Sequence, residues 1–186
     1  LLGDGSVPSE HRRLVATAVG FVRDADPELI DQLRETSLTA GDDPVGSAAL
    51  YARAAQARVG GELGEGLGLE LADELLGRAP AVLDPEIAGA AASDLAIMAW
   101  LDTVGALGGA DVWPLVEPYL DHPTHRIRRV AVEALRFATT PAARVRLAEI
   151  MASHPDQWTR RAAIEAARYQ PQAAFEAPVV RAFETD

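Results

Sequence analysis

Two stretches of this 186-residue chain repeat one another at an offset of 32 residues. DHPTHRIRRVAVEALRF (121–137) aligns with SHPDQWTRRAAIEAARY (153–169). His122-Pro123 falls on His154-Pro155, Arg128-Arg129 on Arg160-Arg161, and Arg136-Phe137 on Arg168-Tyr169. Ala131, Val132, Glu133 and Ala134 fall on Ala163, Ile164, Glu165 and Ala166, and upstream Leu115 and Glu117 fall on Leu147 and Glu149. A period of roughly 20–50 residues built from two helices marks a helical solenoid. The cause is geometric: one helical hairpin cannot bury both its faces, so hairpins stack and share a continuous core.

The periodicity inside the repeat is helical. Over 124–138, Ile127, Val130, Ala131, Ala134, Leu135 and Ala138 form one apolar stripe. Ala162, Ala163, Ala166 and Ala167 repeat it, and such small residues let helix backbones approach closely. Elsewhere Ala, Leu, Glu and Arg dominate, all strong helix formers, and no stretch alternates apolar with polar residues as a half-buried strand would. Helix stop and start residues predict about ten helices, over about 9–23, 27–38, 44–59, 63–78, 85–107, 111–121, 124–138, 141–153, 156–169 and 172–184. Ser9, Asp26 and Asp43 are the expected N-caps of the first three. Pro27 stands at a first turn, where a missing N–H costs nothing, and Asp43-Pro44 and Asp84-Pro85 repeat the pattern. Gly108-Gly109 is expected to end the long helix 85–107. The short connections make sequential helices antiparallel neighbours, and the equal register of 124–138 and 156–169 places those two helices parallel on one side of the stack.

At these residues the chain resembles a known family. WPLVEPYLDHPTHRIRRVAVEAL is similar to a HEAT repeat: an apolar first helix holding a Pro, an Asp-Pro-rich turn, then a second helix opening with a branched apolar residue, an Arg and an Ala-rich face. Asp121, Ile127, Arg128, Ala131 and Leu135 occupy those positions, whereas the next repeat has Ser153 and Thr159 where the Asp and the branched residue stand. The resemblance is clear over 111–170, with repeats at 111–138 and 141–170, and residues 1–110 are compatible with it. It implies an all-α, right-handed α-α superhelix of about five hairpins, a single solenoid domain over 1–186. A second resemblance covers more chain. The long Ala-rich helix, Val-Gly-Ala-Leu-Gly-Gly, Trp-Pro-Leu-Val-Glu, two Arg-rich helices and Tyr-Gln-Pro follow one another as in the superhelical region of vitellogenin-type lipid-transfer proteins. That likeness implies a superhelix wrapped round a lipid cavity formed partly by sheets.

Composition narrows the chemistry. There is no Cys, which excludes disulfides, thiolate catalysis and Cys-ligated metals. No apolar run approaches the ~18 residues of a membrane span. The net charge of −11 argues against nucleic-acid binding. That excess is uneven: residues 1–110 hold 18 acidic side chains against 7 Arg, residues 111–186 hold 10 of each. All 17 basic residues are Arg, and Lys and Asn are both missing, as expected of a GC-rich, bacterial coding sequence. The Leu1-Leu2 start leads us to expect a piece of a longer chain.

Each candidate site has a structural alternative. The glycine-rich stretch 60–68 lacks the preceding strand and following Lys of a phosphate-binding loop, and is expected to be a flexible link between helices. Asp121, His122 and His125 have metal-ligand chemistry, but Gln157 replaces His125 in the next repeat, so the repeated His122 and His154 read as turn residues and neither a metal nor a cofactor is expected. No nucleophile or paired-carboxylate arrangement suggests an enzyme. Trp100 is expected in the core, while Trp158, opening a second helix, can face a groove. The candidate partner-binding residues are Arg128, Arg129, Arg160 and Arg161, with Trp158. Stacked hairpins set the four Arg side by side, although Glu133 and Glu165 stand four residues on to neutralise them, and the structural alternative is that one Arg of each pair points inward to bond carbonyls or carboxylates of the neighbouring hairpin. The expected function is a non-enzymatic interaction or scaffold module that binds a protein partner on its solenoid surface. A lipid-binding or lipid-transfer component and a HEAT-like lyase or enzyme accessory are the alternatives.

Overall fold

The structure is a computed structural model that describes residues 2, 4–22, 25–39, 43–59, 61–78, 94–171 and 175. The chain forms two compact units, 1–78 and 79–186.

The first unit holds α1 (Ser9–Val19), α2 (Pro27–Thr39), α3 (Pro44–Val59) and α4 (Gly61–Gly77). Asp26 and Asp43 start α2 and α3 as expected. The Asp26 carboxylate accepts the Glu28 N–H at 2.9 Å, and that of Asp43 accepts the Val45 and Gly46 N–H groups at 2.8 and 2.7 Å. Ser9, by contrast, is the first helical residue of α1, and Pro8 precedes it as an N-cap without a side-chain bond. The helix also ends at Val19 rather than near 23, and the chain continues through Gly20, Phe21 and Val22 in tighter i→i−3 bonds; Gly20 sits where α1 meets α3, where a Cβ would lie 3.0 Å from the Ala52 Cα. Helix α3 is the centre of the unit, packed on α1, α2 and α4, with Ala49, Ala52, Ala54 and Ala55 buried along it. Gln56, near the end of α3, donates to the Val19 and Val22 carbonyls at the end of α1, so the two helices run parallel. Arg34 of α2 pairs with Glu70 of α4. The fully buried Arg53 joins Ser37 Oγ (2.8 Å) to Glu74 (2.9 Å), which ties α2 to α4 through α3.

The expected link at 60–68 is corrected: α4 runs through it from Gly61. Each helical glycine costs about 1 kcal/mol relative to alanine. Burial of Leu71 and Leu75, with the Glu70 and Glu74 ion pairs, holds the helix against that cost.

The second unit holds α5 (Asp94–Leu107), α6 (Val112–Val116), α7 (His125–Ala134), α8 (Pro141–Ser153) and α9 (Gln157–Ala167). The expected helix start at Asp84-Pro85 and, Phe175 apart, the expected helix 172–184 lie outside the described residues. Helix α6 passes into a 3-10 turn at Glu117–Tyr119, because Pro118 has no N–H to continue the α-helical ladder. A second 3-10 turn, Leu135–Phe137, ends α7.

Helix α7 packs on both α5 and α9, and α8 packs on α9. Starts meet starts and ends meet ends. Arg128 in the first turn of α7 reaches Asp156 at the cap of α9, and Phe137 just past α7 stacks edge-on against Tyr169 just past α9, ring centres 5.3 Å apart. Gln170 donates to the Leu135, Arg136 and Ala138 carbonyls, closing the end of α7. Helices α7 and α9 are therefore parallel, as the 32-residue register requires. Helix α5 joins the same layer. Gly105 in its last turn abuts Ala134 in the last turn of α7, and Gly109 N–H bonds the Phe137 carbonyl at 2.9 Å. Gly108 and Gly109 have φ of 69° and 83°, a conformation that favours glycine. The core beneath this layer contains Leu101, Val104, Val116, Ile127, Leu135, Leu147 and Met151. Among the described residues both units are all-helical, built of packed hairpins without a strand, and an isolated bridge at Gly109–Ala138 is the nearest approach to sheet.

Candidate functional site

The two His-Pro turns are built alike. In each, the histidine Nδ1 accepts a backbone N–H two residues on: that of Thr124 for His122 and that of Asp156 for His154, both at 3.1 Å. The arginine six residues on clamps the turn. Arg128 Nη1 donates to the His122 and Pro123 carbonyls at 2.7 and 2.8 Å, and Arg160 Nη1 to those of His154 and Pro155 at 2.8 and 3.4 Å. An Nδ1 that accepts carries no proton and lies along the backbone, so these histidines shape the turns. Among the described residues no three His, Asp or Glu side chains converge as metal ligands.

Arg128 also reaches the next repeat, its Nη2 lying 3.2 Å from Asp156. Asp156 caps α9, accepting from the Trp158 N–H (3.0 Å) and from Thr159 Oγ1 (2.8 Å). Burial works against its charge, but these bonds and the Arg128 guanidinium outweigh burial and hold the carboxyl below its ordinary range.

The second arginine of each pair is directed elsewhere. Arg129 pairs with Glu133 at 3.4 Å and Arg161 with Glu165 at 3.3 Å, each one turn along its own helix, with both arginines exposed and Glu133 half-buried. The four sequence-predicted arginines thus separate into two turn clamps and two surface pairs. Trp158 is 53% exposed, three residues before Arg161 on the same stripe of α9, while Trp100 is buried as expected. Near the ends of the helices Arg136 lies over the Phe137 ring, 5.3 Å from its centre, and Tyr169 is 64% exposed.

Asp102 of α5 belongs to the same surface, and the repeat did not point to it because α5 lies outside the matched stretches. Desolvation raises its carboxyl above the ordinary range, with Arg136 and Arg129 pulling the other way. Desolvation likewise raises Glu133, Arg129 opposes it, and the Asp102 charge adds to the rise. The exposed side of the α5–α7–α9 layer therefore carries an interleaved set of carboxylates and guanidiniums, with aromatic side chains at both ends of α9.

A family model described as HEAT repeats matches residues 75–168. No curated protein and no solved structure matches the chain significantly.

Proposed function

Because the chain belongs to the HEAT-repeat family, we propose that it is a non-enzymatic interaction module that binds a protein partner on the exposed side of its second helices, α5, α7 and α9. The observation that carries this reading is the separation within the arginine pairs. Arg128 and Arg160 hold the turns, which leaves Arg129, Arg161 and the half-exposed Trp158 outward on adjacent parallel helices. An exposed tryptophan on a helix face that also carries an arginine is the kind of anchor on which interfaces concentrate their energy. Stacked repeats present such groups over a continuous surface. The family supports protein binding as its usual role, and the site residues are Arg129, Arg161 and Trp158, with Arg128 and Arg160 positioning them. The continuity of one solenoid through residues 1–186 is part of this proposal.

The test is photocrosslinking in the source cells, with a photoreactive residue placed at 157 or 168, exposed positions that flank Trp158 and Arg161, and a control at Ser153, which is exposed on α8. The expected result is one recurrent protein adduct from 157 and 168, absent at 153 and lost when Arg129 and Arg161 are both changed to Gln. Equal adducts at all three positions would overturn the reading.

A further inference from the structure

The first helices of the second unit carry a pattern of their own. The 32-residue register that relates α7 to α9 also places Trp113 over Val145, Glu117 over Glu149, and Pro114 over Arg146. Pro114 apart, these residues face one another across a groove of about 570 Å³ between α6 with its 3-10 turn and α8. Leu120 lies at its base, and Val145, 59% exposed, gives it an apolar wall opposite Trp113. Each wall thus offers an apolar side chain and, one helical turn on, a carboxylate.

The two walls differ in one respect. On α8, Arg146 bridges Glu149 (3.3 Å) and Asp121 (2.8 Å to both carboxylate oxygens). On α6 the equivalent position is Pro114, and Glu117 makes no ion pair among the described residues. The groove therefore holds three carboxylates and a single guanidinium. Its net charge is −2, and Glu117 is the carboxylate with no guanidinium beside it among the described residues.

We infer that this groove binds a peptide segment of a partner protein in which an apolar side chain and an Arg or Lys lie about one helical turn apart. The apolar group covers Trp113 and Val145. The cation meets Glu117 as Arg146 meets Glu149. Charge complementarity selects this occupant: an acidic segment would meet three carboxylates, and an uncharged apolar one would leave Glu117 uncompensated beside it. The surface is distinct from the α5–α7–α9 layer and does not depend on what that layer binds.

The probe is a fluorescein-labelled 12-residue peptide obtained by selecting a random displayed library on the full chain. The chain carries 5-fluorotryptophan, whose three 19F resonances are assigned by single Trp→Phe changes. The expected peptides combine Arg or Lys with Leu, Ile or Phe. They shift the Trp113 resonance and leave those of Trp100 and Trp158 in place. Glu117→Lys together with Val145→Glu, both at exposed positions, weakens binding at least tenfold with the melting temperature unchanged. Pro114→Arg, which supplies a cation from the chain itself, also weakens it. Selection of acidic peptides, selection of none, a shift at Trp158 instead of Trp113, or unchanged affinity in the Glu117/Val145 variant would each overturn the inference.

Discussion

Neighbouring residues of one type do unlike work here because a helix turns about 100° per residue. Arg128 and Arg129 are adjacent in sequence, yet one is drawn into the His-Pro turn and across to Asp156, and the other lies out over Glu133. Their removal should cost different amounts. Arg128→Gln strips two carbonyls and a carboxylate of a charged donor, and is expected to lower stability by about 1.5–3 kcal/mol. Arg129→Gln and Arg161→Gln together remove two exposed guanidiniums, and are expected to cost less than about 1 kcal/mol. Urea unfolding of the two variants checks the contrast, and equal losses would refute it. Gly105 offers a second test. Alanine in a helix is ordinarily favourable, but a Cβ there would stand 2.7 Å from the Ala134 Cα and 3.1 Å from its Cβ. Backbone cannot yield as a side-chain tip can, so Gly105→Ala is expected to destabilise by about 1–3 kcal/mol in the same measurement.

Among elements, the junction between α7 and α9 responds to pH through Asp156. Asp156 has its carboxyl held low in the folded chain, so its contribution is present above its ordinary value of 3.8 and is lost as pH falls through the lower, folded value. Asp156→Asn keeps a capping residue and removes the charge facing Arg128. The variant is expected to be less stable than the parent at neutral pH, and the two stability curves should converge as pH falls below 3.8. A constant gap through that range would show that the capping bond, and not the charge, carries the effect. The sequence made much of this junction legible, because a repeat transmits register: the parallel course of α7 and α9 and the burial of Ala131 and Ala163 follow from the 32-residue offset. It was silent where the deciding contact is remote. Nothing local tells that Gln170 will close the end of α7, 32 to 35 residues earlier, or that burial of Leu71 and Leu75 will keep a glycine-rich stretch helical. That one arginine of each pair turns inward was legible, but which one was not, since the choice depends on a turn carbonyl and on a carboxylate in the following repeat.

At the scale of the whole molecule, charge and cohesion respond to salt in opposite directions. The chain carries −11, and self-repulsion of that excess weakens the compact state. Raising NaCl from about 0.05 to 0.5 M shortens the screening length to a few ångströms, and should raise the thermal midpoint while weakening capture of the basic peptides selected on the α6–α8 groove. Parallel melting and binding titrations read both signs on one sample, and a fall in the midpoint would refute the expectation. The reason the two can part company lies in the glutamines. Gln56 closes the end of α1 in the first unit, and Gln170 closes the end of α7 in the second, each through an uncharged amide bonded to two or three carbonyls of the preceding helix in its layer. An amide has no proton to lose near neutrality and no counterion to exchange. These clasps are therefore indifferent to the ionic conditions that set the strength of every guanidinium–carboxylate contact on the surface, and the surroundings can tune what the protein holds without loosening what holds the protein.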